Sequence, residues 1–482
     1  MATLQKRESL LLAQSERNTL HFFHEVAERV PAYKDFLKRA QINPTKIKTI
    51  RDFTNVPITD AKNYIAAYSI AQRCWGGKLS STQLVATSSG TTGEPKFWPR
   101  TLEQEHEAAL THERLYKMYF QIDKKSTLIL IGYPMGIYIS GIATLLPTWM
   151  VTSKGYSVTA MSIGNNKAEI LRAVHNLSDD YDQTILIGHP FFIKDVIESG
   201  VMEGIKWPKK NLGLMFCSGG FSEAWREYVA KKAGIEMSAM RIFNTYGSSE
   251  MLLMGYETPF SISIKRSMEE NLRFLKDLTE DMTPPQLFQF DPMLRYIESI
   301  NNELIFTSAS GIPLVRFNIH DRGRVISLSQ ADELMRAHEH IRRLPKIQWH
   351  LPLVALWGRN DDTLKFHAVN IYPEHIKAGL MDKHFLHALT GKFVMRKSLE
   401  RNMNERLDIN VELVPGARIS KRLEQEIGDR VIQKLRKVNL EYLDMSTHLG
   451  PRTYPRIILR PYQDPSYFKV SLKPRYIDRA SK

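Results

Sequence analysis

The chain has 482 residues, 43% hydrophobic and 24% charged, which suits a globular protein of more than one domain with a sizeable core. Its two cysteines, Cys74 and Cys217, are too few for a disulfide framework or a cysteine zinc site. The formal charge of +14 comes without a long Lys/Arg run, zinc-finger spacing or an RNA-recognition signature, so it points to a surface that attracts polyphosphates or is merely solvated, not to a nucleic-acid platform.

The first element expected is a helix over 4–30, with Leu11, Leu12, Leu20, Phe23 and Val26 as its apolar residues and Pro31 as its stop. Leu10-Leu11-Leu12-Ala13 is too short for a signal-peptide core or a membrane span, and cytoplasmic residence is expected. The run Gln83-Leu84-Val85-Ala86 reads as a strand feeding the loop Ser88-Ser89-Gly90-Thr91-Thr92-Gly93-Glu94-Pro95-Lys96. Glycines let successive backbone N–H groups turn toward one concavity, the hydroxyls add donors, and Lys96 adds a mobile cation; the loop is built to grip phosphate. The Gly-x-x-x-x-Gly-Lys-Ser/Thr spacing of the common P-loop is absent.

Strands are expected at 127–131, 184–187 and 212–217, with helices over 167–177 and from the Ser222 cap to 232. This alternation predicts an α/β layer with parallel strands. A charged, helix-like stretch covers 265–281. Strand-like segments at 286–290, 303–307, 315–318 and 324–326 suggest a β-rich subdomain, and a helical stretch covers 330–341. Beyond Trp357 the pattern is α+β. Strands are expected at 393–396, 407–414 and 456–459, with Ile419, Leu423, Ile427, Val431, Leu435 and Val438 marking one helix face. A boundary near Gly358 divides a large domain over 1–357 from a small lid over 358–482.

Three further constellations carry chemistry. In Asn244-Thr245-Tyr246-Gly247-Ser248-Ser249-Glu250 an aromatic could stack on a purine and a carboxylate beside hydroxyls could hold magnesium; alone, the stretch also reads as a Gly-Ser turn. In Arg316-Phe317-Asn318-Ile319-His320-Asp321-Arg322-Gly323 a carboxylate at a strand end before a glycine turn suits a grip on ribose hydroxyls, or a surface pair with Arg322 or Arg324. Gly358-Arg359-Asn360-Asp361-Asp362 is a charged turn at the domain boundary, a candidate hinge.

Together these motifs resemble the adenylate-forming superfamily of acyl-CoA synthetases, adenylation domains and luciferases, most of all phenylacetate-CoA ligase and its relatives. Val30-Pro31-Ala32-Tyr33, the stretch from Arg51-Asp52-Phe53-Thr54 to Pro57-Ile58-Thr59, and Phe290-Asp291-Pro292 followed by Asn302-Glu303-Leu304 add to the match over roughly 28–478. The resemblance implies a large α/β N-terminal domain with a β-rich subdomain and a small mobile α+β lid. It assigns Ser88, Ser89, Gly90, Thr91, Thr92, Gly93 and Lys96 to the ATP phosphates. Gly219 and Gly220 go to the adenine pocket with Tyr246 stacking on the base, Gly247 and Ser248 to the ATP site, Asp321 and Arg359 to the ribose, Glu250 to magnesium and Asp361 to the hinge. The catalytic lysine falls at Lys473, with Lys469 as its alternative. Tyr133, Gly136, His189 and Pro190 line the acid pocket, whose aromatics and methionine suit an apolar or aromatic acid. His189 contacts a substrate polar group or caps a strand end, and Trp98 is a core residue or a ligand contact.

The implied activity is activation of a carboxylic acid to an acyl-adenylate with ATP and Mg2+, then transfer to CoA. An amine or a carrier-protein pantetheine is the alternative acceptor, and a non-catalytic nucleotide- or nucleic-acid-binding protein is the reading of another class. Three features depart from the family, and one is the helical stretch at 330–341, which looks like an insertion near the hinge. Ala368 stands where relatives carry a glycine near the acceptor tunnel, and no cysteines for a structural metal follow Glu250, so no zinc is expected. No membrane partner is expected, and a homodimer is left open.

Overall fold

The computed structural model describes residues 2–88, 96–237, 240–279, 283–337, 347, 349–359, 364–366, 369–399, 405–468 and 476–478. The chain opens with α1 (Ala2–Arg29) and α2 (Pro31–Arg39), and Pro31 starts the second helix as well as ending the first. Proline at the first helical position gives up an N–H that would have had no partner there anyway. The short α3 (Ile50–Phe53), β1 (Thr59–Asp60) and α4 (Ile70–Arg73) lead to a hairpin of β2 (Leu84–Thr87) and β3 (Phe97–Arg100).

Next come α5 (Leu102–Phe120), β4 (Thr127–Gly132), α6 (Ile139–Thr152), β5 (Val158–Ser162), α7 (Lys167–Leu177), β6 (Gln183–Gly188), α8 (Pro190–Met202), β7 (Gly213–Cys217), α9 (Glu223–Ala233) and β8 (Ile242–Ser248). Strands β5, β4, β6, β7 and β8 lie side by side and parallel. Alternate residues pack on opposite faces. Leu128, Leu130, Leu186, Leu214 and Phe216 meet α7, α8 and α9, while Ile129, Ile131, Ile185, Ile187 and Met215 meet α5 and α6. Burial on both faces is why these strands read as unbroken apolar runs.

The same sheet then turns antiparallel. Strand β9 (Leu252–Tyr256) follows β8, and helices α10 (Pro259–Glu270) and α11 (Leu272–Thr279) intervene. Strands β10 (Gln286–Gln289), β11 (Tyr296–Ile300), β12 (Glu303–Ser308), β13 (Leu314–Ile326) and, after α12 (Leu328–Ala337), β14 (Leu353–Arg359) complete a 12-stranded sheet that includes β1. The β-rich stretch is therefore the antiparallel flank of one sheet. Two expected strands, at 315–318 and 324–326, are a single one: β13 runs through Gly323 with only a register shift between Arg322 and Gly323. The expected glycine turn is a bulge.

The last part holds β15 (Leu364–Phe366), β16 (Val369–Ile371), α13 (Pro373–Leu380), β17 (Leu389–Leu399), β18 (Glu405–Leu413), α14 (Lys421–Val438), α15 (Leu440–Leu449) and β19 (Arg456–Arg460). A hydrophobic cluster drawn entirely from 364–477 fills its interior. Ile427, Val431 and Leu435 are its buried contribution from α14, while Ile419 lies before the helix and is exposed. Among the described residues no helix is long and apolar enough to cross a membrane.

Candidate active site

Open α/β sheets bind ligands beyond the carboxyl ends of their parallel strands. Here the chain leaving β7 and the end of β8 open on a cavity of 780 Å³. The β2–β3 hairpin brings Ser88 and Lys96 to it. Ser88 N donates to the Lys96 carbonyl at 3.0 Å and Lys96 N to Ser88 Oγ at 3.1 Å, so the two ends of the intervening loop are pinned together. Loop residues Ser89, Gly90, Thr91, Thr92 and Gly93 lie outside the described residues.

Gly219 and Gly220 form one wall. A Cβ on Gly219 would come 3.0 Å from Pro190 Cδ and 3.1 Å from His189 Nε2; one on Gly220 would come 3.0 Å from Gln286 Cγ. Glycine lets this backbone lie directly on its neighbours and leaves the outer side open. Gln286 Nε2 donates to the Phe221 carbonyl at 3.1 Å, and Asn244 Nδ2 donates to the Gly219 carbonyl at 2.9 Å.

Tyr246, near the end of β8, is 6% exposed, and its ring stacks on Phe288 at 5.6 Å between centroids. Its hydroxyl donates to Asp321 Oδ2 in a short hydrogen bond. Gly247, Ser248 and Glu250 continue along the wall, and Asp321 faces them from within β13, not from a strand end. In register Asp321 stands opposite Arg359, the last residue of β14. Its neighbour Gly358 has φ +118°, a conformation that favours glycine at the expected boundary, and a Cβ there would lie 2.7 Å from the flexible end of Glu374.

Behind Gly219 and Gly220 lies a buried charge cluster. Arg226 pairs with Glu223 at 2.9 Å and Glu257 at 2.7 Å, and Lys265 pairs with Glu223 at 3.1 Å. Glu257 Oε2 also accepts from the Asn244 backbone at 2.7 Å. Burial would raise the Glu223 carboxyl, but Arg226 and Lys265 outweigh it and hold the group well below its usual range. The helix-like stretch at 265–281 is thus two helices, and its Lys265 is fully enclosed.

No protein-family profile matches the chain. In sequence it is 22% identical over 404 residues to a phenylacetate-coenzyme A ligase of Aromatoleum evansii, covering 83% of this chain and 81% of that one. In structure it is similar to a 2-hydroxyisobutyryl-CoA ligase in its postadenylation state, with a TM-score of 0.67 and 16% identity over 98% of this chain and 90% of the other. It also resembles an acyl acid amido synthetase, with a TM-score of 0.58 and 13% identity over 94% and 88%. In fold the chain is similar to these acyl-activating enzymes.

The fold brings together Ser88, Lys96, Gly219, Gly220, Tyr246, Gly247, Ser248, Glu250 and Asp321 around one cavity. Tyr133, Gly136, His189 and Pro190 do not border it. His189 precedes α8 without capping it through its side chain, and it lies beneath Gly219. The Tyr133 ring is 5% exposed, and burial raises its phenol well above the usual range. Trp98 is a core residue. The Arg359 side chain, Asp361, Ala368, Lys469 and Lys473 lie outside the described residues. Among the described residues no three His, Cys, Asp or Glu side chains are grouped to hold a metal. A magnesium ion held by one carboxylate and the substrate phosphates needs no such cage, and Glu250 fits that role.

Sequence reasoning missed Gln286 and Phe288, which support Gly220 and Tyr246. It also missed Lys377 of α13, which borders the cavity 3.2 Å from Glu374 and beneath the Tyr476 ring. Burial works to lower the Lys377 ammonium, but Tyr476 and Glu374 outweigh it and raise it.

Proposed function

We propose that the chain activates a carboxylic acid with ATP, releasing pyrophosphate, and transfers the acyl group to the thiol of CoA. The observation that carries this reading is the single cavity that collects the ends of the phosphate loop, the glycine wall, Tyr246, Glu250 and Asp321. The acid's carboxylate oxygen attacks the α-phosphorus and the bond to the β-phosphate oxygen breaks. Two anions must approach, so fixed donors and cations around the phosphates are the main source of rate. Ser88 and Lys96 take the phosphates, Tyr246 borders the base, and Asp321 accepts from ribose hydroxyls. A magnesium ion bound by Glu250 would neutralise phosphate charge. Lys473, with Lys469 as alternative, is assigned the bridge between acid and α-phosphate, Arg359 the ribose and Asp361 the hinge of a lid that begins near Gly358. An apolar or aromatic acid is the proposed substrate class, and a cytoplasmic site of action belongs to the same reading.

The likeness to an acyl acid amido synthetase favours an amine acceptor as the second reading. A carrier-protein pantetheine is a further acceptor to test. Pyrophosphate release from ATP with a panel of acids decides the first step, and its absence with every acid sinks the reading. Weighing the products formed with CoA, amines or a carrier protein decides the second.

A further inference from the structure

Lys377 of α13 is a cation on the cavity wall for which the proposed adenylation step has no task. Its side chain is 12% exposed, whereas a lysine on a helix ordinarily keeps its ammonium in water. Nζ lies 3.2 Å from Glu374 Oε1, one turn earlier in the helix, and 4.3 Å from the centroid of the Tyr476 ring. Burial works to lower the ammonium, but Tyr476 and Glu374 outweigh it and the charge is kept. Losing these contacts would leave the charge enclosed and unpaired, so they hold more firmly than a surface pair does.

The two partners reach distant points of the chain. The Glu374 carboxylate rests on Gly358, where an added Cβ would come 2.7 Å from Oε1. Gly358 precedes Arg359, and in β14 the two stand opposite Arg322 and Asp321 of β13. Tyr476 belongs to the C-terminal tail. Met395 N donates to the Tyr476 carbonyl at 2.7 Å, Asp478 N donates to the Met395 carbonyl at 2.8 Å, and Ile477 bridges to Met395 of β17. The Tyr476 ring lies 5.1 Å from that of Phe393. These contacts fix the tail on the C-terminal part, and Lys377 adds the link to the strand that carries Arg359. Lys377, Glu374, Tyr476 and Gly358 all border the cavity.

We propose that Lys377 is a positioning residue: through Tyr476 and Glu374 it ties the tail to the end of β14, and so sets the C-terminal lysine for adenylation. The inference rests on the acyl-adenylate reading. Tyr476 follows Lys473 by three residues, so the place of its ring limits how far that lysine strays from the cavity wall. The tie includes Gly358, at the boundary about which the lid is proposed to turn. It therefore serves the present pose and parts when the lid turns, so the transfer step does not depend on it.

The test uses the full chain, the acid of the panel above that releases pyrophosphate fastest, and the acceptor whose product is found by weighing. Lys377→Met keeps the stem and removes the charge; Tyr476→Leu keeps apolar bulk and removes the ring. Each is expected to slow pyrophosphate release about a hundredfold, the cost of a small misplacement of a catalytic group, with KM for ATP changed less than about twofold. Transfer from the preformed acyl-adenylate keeps the wild-type rate. The double variant is no slower than either single one, since both break one tie. Lys377→Arg, which pairs with a carboxylate and stacks on a ring, restores most of the rate. Amide exchange of Met395 and Asp478 is faster in Lys377→Met than in the wild type, with β18 unchanged. Full-rate release in Lys377→Met, losses that multiply in the double variant, transfer slowed equally, or unchanged exchange at Met395 and Asp478 overturns the inference. Absence of acid-dependent pyrophosphate release in the wild type overturns the underlying reading instead, and the amide-exchange comparison still tests the tie.

Discussion

Tyr246 and Asp321 are the residues through which the sheet is proposed to address a nucleotide. The Tyr246 hydroxyl orients the Asp321 carboxylate, which is proposed to accept from a ribose. Hydrogen bonds to a charged group contribute about 1.5–3 kcal/mol each, so Asp321→Ala is expected to raise KM for ATP roughly 10–100-fold in a pyrophosphate-exchange assay. Tyr246→Phe keeps the ring on Phe288 and removes only the orienting bond, so its KM for ATP should rise less, about three- to tenfold. A variant pair in the opposite order would place the ribose elsewhere. His112 of α5 gives a residue-scale prediction about stability. It is fully enclosed, and burial lowers its imidazole to about 4, against the Ala108 carbonyl that works to raise it. The unfolded chain binds the proton more readily than the folded one. The contribution is therefore complete above an ordinary histidine's 6.5 and is lost as pH falls toward 4. It amounts to about 3 kcal/mol. Urea midpoints of wild type and His112→Leu, compared at pH 7 and pH 4.5, should show the parent losing stability on acidification relative to the variant.

At the scale of elements, the parallel strands and the helices between them were the legible part. The helix over 167–177 matches α7 residue for residue, and Ser222 Oγ accepts from Trp225 N at 3.2 Å as the cap of α9. Apolar runs and capping hydroxyls are local signals, and local signals survive in a sequence. The path of β13 was not legible. Gly323 looked like a turn because a glycine between strand-like segments reads the same way whether the chain reverses or bulges. The choice is made by pairing to β12 and β14, which lie far apart in sequence. The burial of the charges on α10 was not legible for a related reason: Lys265 of α10, Glu223 and Arg226 of α9, and Glu257 between β9 and α10 enclose one another, a packing of residues far apart in sequence. Removing one partner of such a cluster leaves the others charged and buried. Glu257→Gln, which also weakens the carboxylate acceptor of the Asn244 N–H, should cost about 3–5 kcal/mol in chemical denaturation. Loss of only a few tenths would mean that water already reaches the cluster. Helix α12, which looked like an insertion, is anchored by Glu8 of α1, whose carboxylate accepts from Leu328 N at 2.5 Å and Ser329 N at 3.0 Å; it is a packing element.

Across the whole molecule, the C-terminal part packs on α8. Lys194 lies 3% exposed at this contact, with Nζ donating to Glu198 at 3.0 Å and to the Leu389 carbonyl at the start of β17 at 3.1 Å. Burial lowers its ammonium, with Glu198 opposing. Beside it Asp195 takes Lys167 at 3.3 Å and the Tyr462 hydroxyl. Gly391, at φ +93°, lies so near Phe191 that a Cβ would come 2.6 Å from its ring. Met381 and Leu386 of the same C-terminal part are buried in the hydrophobic cluster of α7, α8 and α9. The lid motion proposed above would have to break these polar and apolar contacts reversibly. Lys194→Met keeps the stem and removes the three N–H donors. It leaves the Leu389 carbonyl without this partner, at a cost of about 1–3 kcal/mol. The expected result is faster amide exchange along β17 than in the wild type, with the strands of the parallel sheet unchanged. Pyrophosphate release should slow, because the pose that closes the cavity is populated less. Exchange along β17 identical to the wild type would show that Lys194 serves only the fold of α8 and that the lid is held by other contacts.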